Sequence, residues 1–151
     1  MTVLVRLLAC LLLTSAVPAL SAEPEVKVAV AQSGSVFVVD ADIDFPYPVR
    51  TVWDVLTDFD HMAGIVSNLR SSKISRRKGN TVVVQQEGTA RFGPLSYTFL
   101  SERKVRMEPM KRIVVRQISG QAKRFESEAD LAESKLGTSI HYHAEIEPDS
   151  L

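Results

Sequence analysis

Residues 35–59, SVFVVDADIDFPYPVRTVWDVLTDF, decide the fold of this chain. Ser35 to Phe45 is predicted to be a β-strand buried on one face, because apolar residues alternate with three aspartates in its second half. Pro46 ends this strand, and Pro48 suits the first turn of a helix. Apolar residues then recur at helical spacing and form one stripe, which consists of Val49, Val52, Trp53 and Leu56.

The residues around this segment extend the prediction to a sheet. A second short helix, capped by Asp58 or Asp60, would bury Met62, Ile65 and Val66. Further strands are predicted between turns that contain Gly or Pro, near residues 69–77, 81–92, 95–106, 112–119, 123–132 and 138–147. Turns this short join neighbouring strands that run antiparallel to each other. The predicted fold class is α+β, with a seven-stranded antiparallel sheet and two short helices after the first strand.

Residues 23–34 are predicted to be a leader before this sheet, with a short strand at 26–31 left open. One face of the predicted sheet is apolar along its strands, and a face of that size must be covered. Two short helices are too small to cover it. Because the chain ends at Leu151, directly after the last strand, we expect either that a C-terminal helix is missing or that a ligand or partner fills the gap.

The composition indicates one globular domain without overall basicity. Of 151 residues, 45% are hydrophobic, and 18 Lys+Arg balance 18 Asp+Glu to a formal net charge of zero. This balance argues against nucleic acid as a partner. Basic residues nevertheless concentrate in residues 70–124, between two acidic segments. Pairing across neighbouring strands explains this zoning, and transient contact with anionic membrane head groups is the alternative.

Residues 1–22 have the pattern of a secretory signal peptide. Arg6 supplies the positive charge, Leu7–Leu13 is almost wholly apolar, and small residues up to Ala22 offer cleavage points. The apolar run is shorter than the roughly 20 residues that a membrane anchor needs. Cys10 is interpreted as part of this run and not as a lipoprotein anchor, because the run continues past it. The protein is therefore expected to be exported, to the periplasm or beyond, with residues 35–151 as its domain.

A resemblance to a known superfamily is carried by the stretch WDVLTDF at residues 53–59, with Pro48-Val49 before it and Met62 and Asn68-Leu69 after it. These residues resemble the polyketide cyclase/dehydrase and coenzyme Q-binding branch of the START-like (SRPBCC, Bet v 1-like) superfamily. The resemblance continues, over about residues 36–148, at Gln86-Glu87-Gly88, Phe92-Gly93, Glu108-Pro109, Gly120 and Phe125-Glu126.

The resemblance implies a helix-grip fold, in which a curved antiparallel sheet wraps a long C-terminal helix around an apolar cavity. It also implies a lipid, sterol, quinone or polyketide as the ligand, and in some members the closure of aromatic rings. Three features depart from the family pattern: Ser67 replaces a frequent proline, Ala129 replaces a large aromatic residue, and the C-terminal helix is absent.

The apolar face supplies the candidate cavity residues, which are Phe37, Val39, Ile43, Trp53, Phe59, Met62, Val84, Phe92, Tyr97, Phe99, Val115, Phe125 and Tyr142. Helical spacing also makes Trp53 a core anchor. Tyr97 and Tyr142 are the acid/base candidates if the cavity catalyses, although a core tyrosine bonded to the backbone is the simpler interpretation. Arg91 and Arg103 could anchor a polar ligand head, but ion pairs on the surface of the sheet are the default expectation.

Neither a metal nor a cofactor is predicted. His141, His143 and Glu145 share one strand face and have a spacing that could chelate a metal. Apolar residues occupy the opposite face of that strand, so the histidines are expected to face water. His61, beside Asp60, is expected to be a solvated residue at a helix start.

Three functions follow from these patterns. The first is an exported protein that binds a hydrophobic small molecule without changing it. The second is a cyclase or dehydrase that acts on a polyketide-like substrate. The third is an interaction module, or a homodimer, that uses the uncovered sheet face. The absence of a Gly-rich phosphate loop, of His-Glu-x-x-His and of Gly-x-Ser-x-Gly argues against the common nucleotide enzymes and hydrolases.

Overall fold

The computed structural model describes residues 23–92 and 95–149; the side chains of residues 90–92, 95 and 97 are outside this description. The predicted signal peptide, residues 1–22 with Cys10, also lies outside the described residues. The strands are β1 (Glu25–Ser33), β2 (Val36–Phe45), β3 (Leu69–Lys78), β4 (Thr81–Phe92), β5 (Leu95–Glu108), β6 (Arg112–Ser119), β7 (Ala122–Glu133) and β8 (Thr138–Pro148). Helices α1 (Val49–Leu56) and α2 (Met62–Ile65) follow β2, with a 3-10 turn at Phe59–His61 between them.

The eight strands form one antiparallel sheet in the order β1-β2-β8-β7-β6-β5-β4-β3. The α+β class and the two short helices are as predicted, but the strand number of seven was wrong. The predicted leader is strand β1, which pairs with β2 over its whole length, from Glu25↔Asp44 to Ser33↔Val36.

A tight turn makes this extra strand. Ser33 and Val36 are partners, so the loop between them has two residues, Gly34 and Ser35. Gly34 has φ 60° whereas Ser35 is not among the positive-φ residues, which is the pattern of a type II′ turn with glycine at its first central position. Such a turn matches the twist of two antiparallel strands, so it closes a hairpin.

The apolar face of the sheet packs against α1 and the 3-10 turn. Trp53 of α1 is 9% exposed and lies in a core cluster with Phe59 and with apolar residues of β4–β8. Those strand residues are Val82, Val84, Val105, Met107, Ile113, Leu131 and Ile140. The core therefore occupies the part of the sheet face under the helices. No helix within residues 23–92 and 95–149 has both the length and the apolar character to cross a membrane.

The connection from β2 to α1 is fixed by the β7–β8 turn. The Thr138 hydroxyl, which is fully buried, donates a hydrogen bond to the Tyr47 carbonyl at 2.7 Å. Gly137 has φ 152°, and a Cβ there would lie 2.6 Å from the Phe45 carbonyl oxygen. Close backbone packing at this point sets where α1 begins.

The predicted capping of the second helix was wrong. Asp58 is hydrogen-bonded instead to His61, with 2.7 Å between Oδ1 and Nδ1. Asp60 accepts a 2.7 Å hydrogen bond from the Ile74 amide of β3. The carboxylate thus attaches the helical segment to the edge of the sheet and does not cap its end.

Candidate functional site

A cavity of about 340 Å³ lies between residues 59–69, which run from the 3-10 turn through α2 to the start of β3, and the apolar face of β4–β6. Its wall is mainly apolar and consists of Phe59, Met62, Val66, Leu69, Val84, Phe99, Val105 and Val115, with three polar residues, Asn68, Gln86 and Arg103. This volume is within the range of small-molecule sites, about 300–1,000 Å³. The cavity is therefore large enough for a small apolar ligand.

Backbone contacts at one end of β4 hold the helical side of this cavity. The Asn68 carbonyl accepts a 2.8 Å hydrogen bond from the Thr89 amide. Gly88, next to Thr89, allows this approach: a Cβ there would be 2.5 Å from Cζ of Phe99 and 2.6 Å from the Asn68 oxygen. The missing side chain at residue 88 thus lets the Phe99 ring and the segment before β3 form one wall.

Five of the predicted cavity residues line this cavity: Phe59, Met62, Val84, Phe99 and Val115. Trp53 lies in the core cluster outside the cavity wall. Five others are not among the lining residues; these are Phe37, Val39, Ile43, Phe125 and Tyr142, and all five are half-buried. Phe92 and Tyr97 are in β4 and β5, but their side chains lie outside the described residues.

Arg103 is the charged residue of the cavity wall. It pairs with Val84 in the sheet, so its side chain projects from the apolar face. Its Nε atom is buried without a hydrogen-bond partner among the described residues. The default expectation of a surface ion pair was therefore wrong for Arg103. The side chain of Arg91, the other candidate anchor, lies outside the described residues.

An aromatic ring lies against the guanidinium of Arg103. Its Cζ atom lies 4.5 Å from the centroid of the Phe125 ring, a cation–π distance. Burial lowers the pKa of Arg103, and the neighbouring Tyr142 offsets part of this effect. An arginine keeps its charge despite such a shift. The site therefore holds a positive group with one buried donor, Nε, that has no partner among the described residues.

A second unpartnered polar atom lies close to Arg103 in the chain. Ser101 is two residues before Arg103 in β5 and therefore on the same sheet face. Its Oγ is also buried without a hydrogen-bond partner among the described residues. Such groups are rare in native interiors, where most buried polar atoms are paired. Ser101 is not among the residues that line the cavity, so of these two side chains only Arg103 belongs to the cavity wall.

Sequence reasoning missed several residues of the wall. Val66 and Asn68 lie in the connection to β3 and Leu69 is the first residue of β3, so no sheet periodicity before them reveals the side that they face. Gln86 and Val105 could have been found from the sequence. Gln86 is two residues after Val84, and Val105 is two residues after Arg103, so each lies on the same sheet face as that residue.

A larger depression, about 620 Å³, is lined mainly by polar residues such as Lys73, Gln85 and Glu102.

The histidine pair lies on the polar face of the sheet. His141 and His143 of β8 are hydrogen-bonded to Asp42 and Asp40 of β2, with distances of 2.8 and 2.7 Å. The bond to Asp42 raises the pKa of His141. In the described part of the chain, no group of three or more His, Cys, Asp or Glu residues has the arrangement of a metal site.

Comparison with protein-family models matches residues 45–151 to the family described as polyketide cyclase / dehydrase and lipid transport. This match covers the helices, β3–β8 and the cavity, and leaves out β1 and nearly all of β2. No curated protein matches the sequence.

Several solved structures have a similar fold at low sequence identity. The di-domain aromatase/cyclase BexL from the BE-7585A biosynthetic pathway has 18% identity and a TM-score of 0.64, over 77% of this chain and 37% of BexL. The Zhui aromatase/cyclase from Streptomyces sp. R1128 has 18% identity and a TM-score of 0.63, over 77% of this chain and 70% of that protein. A START superfamily protein from Mycobacterium smegmatis has 11% identity and a TM-score of 0.63, over 74% and 77%. At such identities the similarity concerns the fold alone.

Proposed function

The chain belongs to the polyketide cyclase/dehydrase and lipid transport family of the START-like superfamily, and from this premise we propose that it is an exported protein that binds an amphipathic small molecule in the cavity beside Arg103. The ligand would be a lipid, a quinone or a polyketide-like compound. The observation that carries the proposal is a buried guanidinium nitrogen, without a partner among the described residues, in an otherwise mainly apolar cavity wall.

The apolar wall supplies most of the affinity. A ligand that buries roughly 200 Å² of apolar surface gains about 5 kcal/mol at 25 cal/mol per Å². The lost freedom of motion on binding offsets part of this gain. A reacting group is not needed for such binding, so the cavity can act as a carrier site.

Arg103 selects the polar end of the ligand. A guanidinium has donors and no acceptor, so it favours a carboxylate, carbonyl or hydroxyl oxygen and repels an ammonium group. A charge-assisted hydrogen bond to a buried group contributes about 1.5–3 kcal/mol. The expected ligand therefore has an apolar body and an oxygen acceptor at one end.

Export rests on the sequence pattern of residues 1–22. When the full-length gene is expressed in a bacterium, the protein should appear in the periplasmic fraction. N-terminal sequencing should find a chain that starts after Ala19, Ser21 or Ala22. A protein that keeps Met1 and stays in the cytoplasm would refute this part of the proposal.

Binding is tested with three ligands that share one alkyl chain and differ in the head group: decanoate, decanol and decylamine. Calorimetric titration, with native mass spectrometry as a second readout, should find that decanoate binds most tightly, decanol less tightly and decylamine least. No binding of any of the three would contradict the proposed function. Equal binding of all three would agree with binding in the apolar cavity but would contradict the proposed role of Arg103.

A matched pair of variants locates the ligand. Val66 lines the cavity and is 38% exposed, whereas Val55 of α1 is 47% exposed and lies outside the cavity wall. Val66→Glu should weaken decanoate binding at least tenfold, because it places a carboxylate beside the ligand. Val55→Glu introduces the same charge elsewhere and should leave the affinity unchanged.

Catalysis is the second candidate function: Tyr142 is near enough to Arg103 to act on its charge, although it lies outside the residues that line the cavity. In a cyclase or dehydrase, Arg103 would polarise a substrate carbonyl and the Tyr142 hydroxyl would exchange a proton with the substrate. Tyr142→Phe separates the two functions. It should abolish turnover of a poly-β-keto substrate if the protein is an enzyme, and should leave ligand binding nearly unchanged if it is a carrier.

A further inference from the structure

Strand β1 is one edge of the sheet, and no described residue pairs with its outer side. Its three valines, Val26, Val28 and Val30, are 55%, 60% and 65% exposed. They continue the apolar face, because they pair with Ile43, Ala41 and Val39 of β2. A long edge strand with exposed apolar side chains is a template for pairing with another strand.

The opposite edge of the sheet has the protection that β1 lacks. Strand β3 contains two irregularities of register and three basic residues in its second half, and the segment from the 3-10 turn to α2 packs against it. Bulges, charges and covering elements are the usual ways in which edges are blocked. Strand β1 has no proline, and its one basic residue, Lys27, is bound to Glu25 of the same strand at 3.0 Å.

The free hydrogen-bonding groups of β1 belong to the same three valines and to Gln32. Across a two-residue hairpin loop the closing pair, Ser33 and Val36, is hydrogen-bonded in both directions. Alternate residues back along β1 therefore bond to β2. The amide and carbonyl groups of Val26, Val28 and Val30 point away from β2, toward the free edge.

We propose that β1 pairs with β1 of a second copy of this chain, in antiparallel orientation about a two-fold axis at Val28, so that the two sheets join into one sheet. In this register Val28 faces the partner's Val28, and Val26 faces the partner's Val30. Six backbone hydrogen bonds form, and three valine pairs lie side by side on the apolar face. This hairpin precedes the region that the family model matches, residues 45–151.

Charge and side-chain pairing select this register over its neighbours. A shift that centres the axis on Lys27 would place two lysines opposite each other, which is unfavourable. A shift that centres it on Ala29 would place Val26 opposite the partner's Gln32. With the axis at Val28, Lys27 faces the partner's Ala29, and Glu25 faces the partner's Ala31. Identical strands are self-complementary in this arrangement, as a two-fold interface requires.

The contact is small, so the dimer is expected to be weak. A single strand edge buries less surface than the roughly 1,200 Å² at which stable interfaces begin. The dissociation constant should be on the order of tens of micromolar. Dimerisation should therefore depend on concentration across the range that sedimentation experiments cover.

The first test is sedimentation velocity of the exported, processed chain over a dilution series from about 1 to 300 µM, a range that brackets this dissociation constant. Wild-type protein should change from monomer to dimer. Val28→Lys places like charges at the two-fold axis and should keep the protein monomeric. Val55→Lys, the same substitution at an exposed valine of α1, should dimerise as the wild type does. Wild type that stays monomeric throughout, or a Val28→Lys variant that still dimerises, would overturn the proposal.

The second test fixes the register by disulfide formation in a Cys10→Ser background, because Cys10 is the one cysteine of the sequence. Opposed residues of a hydrogen-bonded antiparallel pair have Cα atoms about 5.5 Å apart, within the span of a disulfide. Val28→Cys should therefore form a covalent dimer on mild oxidation. Val26→Cys should form one only when mixed with Val30→Cys. Cross-linking of Val26→Cys alone, with none at Val28→Cys, would refute this register.

Discussion

Replacing Arg103 with methionine tests whether the cavity is built to bind a ligand at the expense of stability. The buried Nε of Arg103 has no partner among the described residues, and an unsatisfied buried donor costs about 1–3 kcal/mol. The substitution also removes the stacking on Phe125, which contributes about 0.5–2 kcal/mol. A methionine sulfur recovers about 0.3–1.5 kcal/mol of that contact.

These contributions predict that the ligand-free Arg103→Met protein is more stable than the wild type by about 1–2 kcal/mol. For a domain of this size the melting temperature should rise by about 3–8 °C. Decanoate binding should weaken by about tenfold or more, because a charge-assisted hydrogen bond is lost. Opposite changes in stability and in affinity are the signature of a residue placed for a ligand.

Thermal unfolding monitored by circular dichroism, with and without decanoate, measures both effects. The matched control is Arg106→Met, since Arg106 lies in the same strand and is exposed. Its melting temperature should change by no more than the equivalent of about 0.5 kcal/mol. If Arg103→Met melts at or below the wild-type temperature while this control is unchanged, the guanidinium is satisfied in the empty protein and the reasoning fails.

Three further changes test the surrounding structure. Gly88→Ala should destabilise the fold by about 1–3 kcal/mol and abolish decanoate binding, because the new Cβ displaces Phe99; urea unfolding and calorimetry measure these effects. Thr138→Val should cost about 1–3 kcal/mol in urea unfolding, because the Tyr47 carbonyl loses its donor. His141→Gln should lower the melting temperature at pH 5 but not at pH 9. The hydrogen bond to Asp42 raises the pKa of His141. The stabilisation that it gives is therefore complete below about pH 6.5 and is lost as the pH rises through the raised pKa of His141.

The sequence predicted most of the sheet, because alternation and turn residues act locally. Strands β4 and β6 were predicted with the bounds that the structure has, and β7 within one residue at each end. Strand β1 was left open as a short strand at 26–31 and was not counted in the sheet, although Gly34-Ser35 between two valine-rich runs is a known hairpin signal. The resemblance carried by residues 53–59 is confirmed by the family match over residues 45–151.

The cavity was predicted less completely, because alternation gives the face of a residue but not its position under the helices. Val84 and Phe37 are both on the apolar face, yet only Val84 lines the cavity. That difference depends on where Phe59–Ile65 packs, and a contact from Asp60 to the Ile74 amide helps to fix it. A side chain acting on a distant backbone amide leaves no periodic signal in the sequence.

Arg103 was misjudged for a more general reason. A charged residue in a strand is usually solvated or paired, so pattern reasoning assigns it to the surface. In β5, however, Phe99, Ser101, Arg103, Val105 and Met107 are on one face, and the arginine and serine interrupt an apolar row. Local rules fail most often at functional sites, where a protein gives up stability for binding. A charge in step with an apolar row is therefore the sequence signal that distinguishes Arg103 from the solvated arginines of the same sheet.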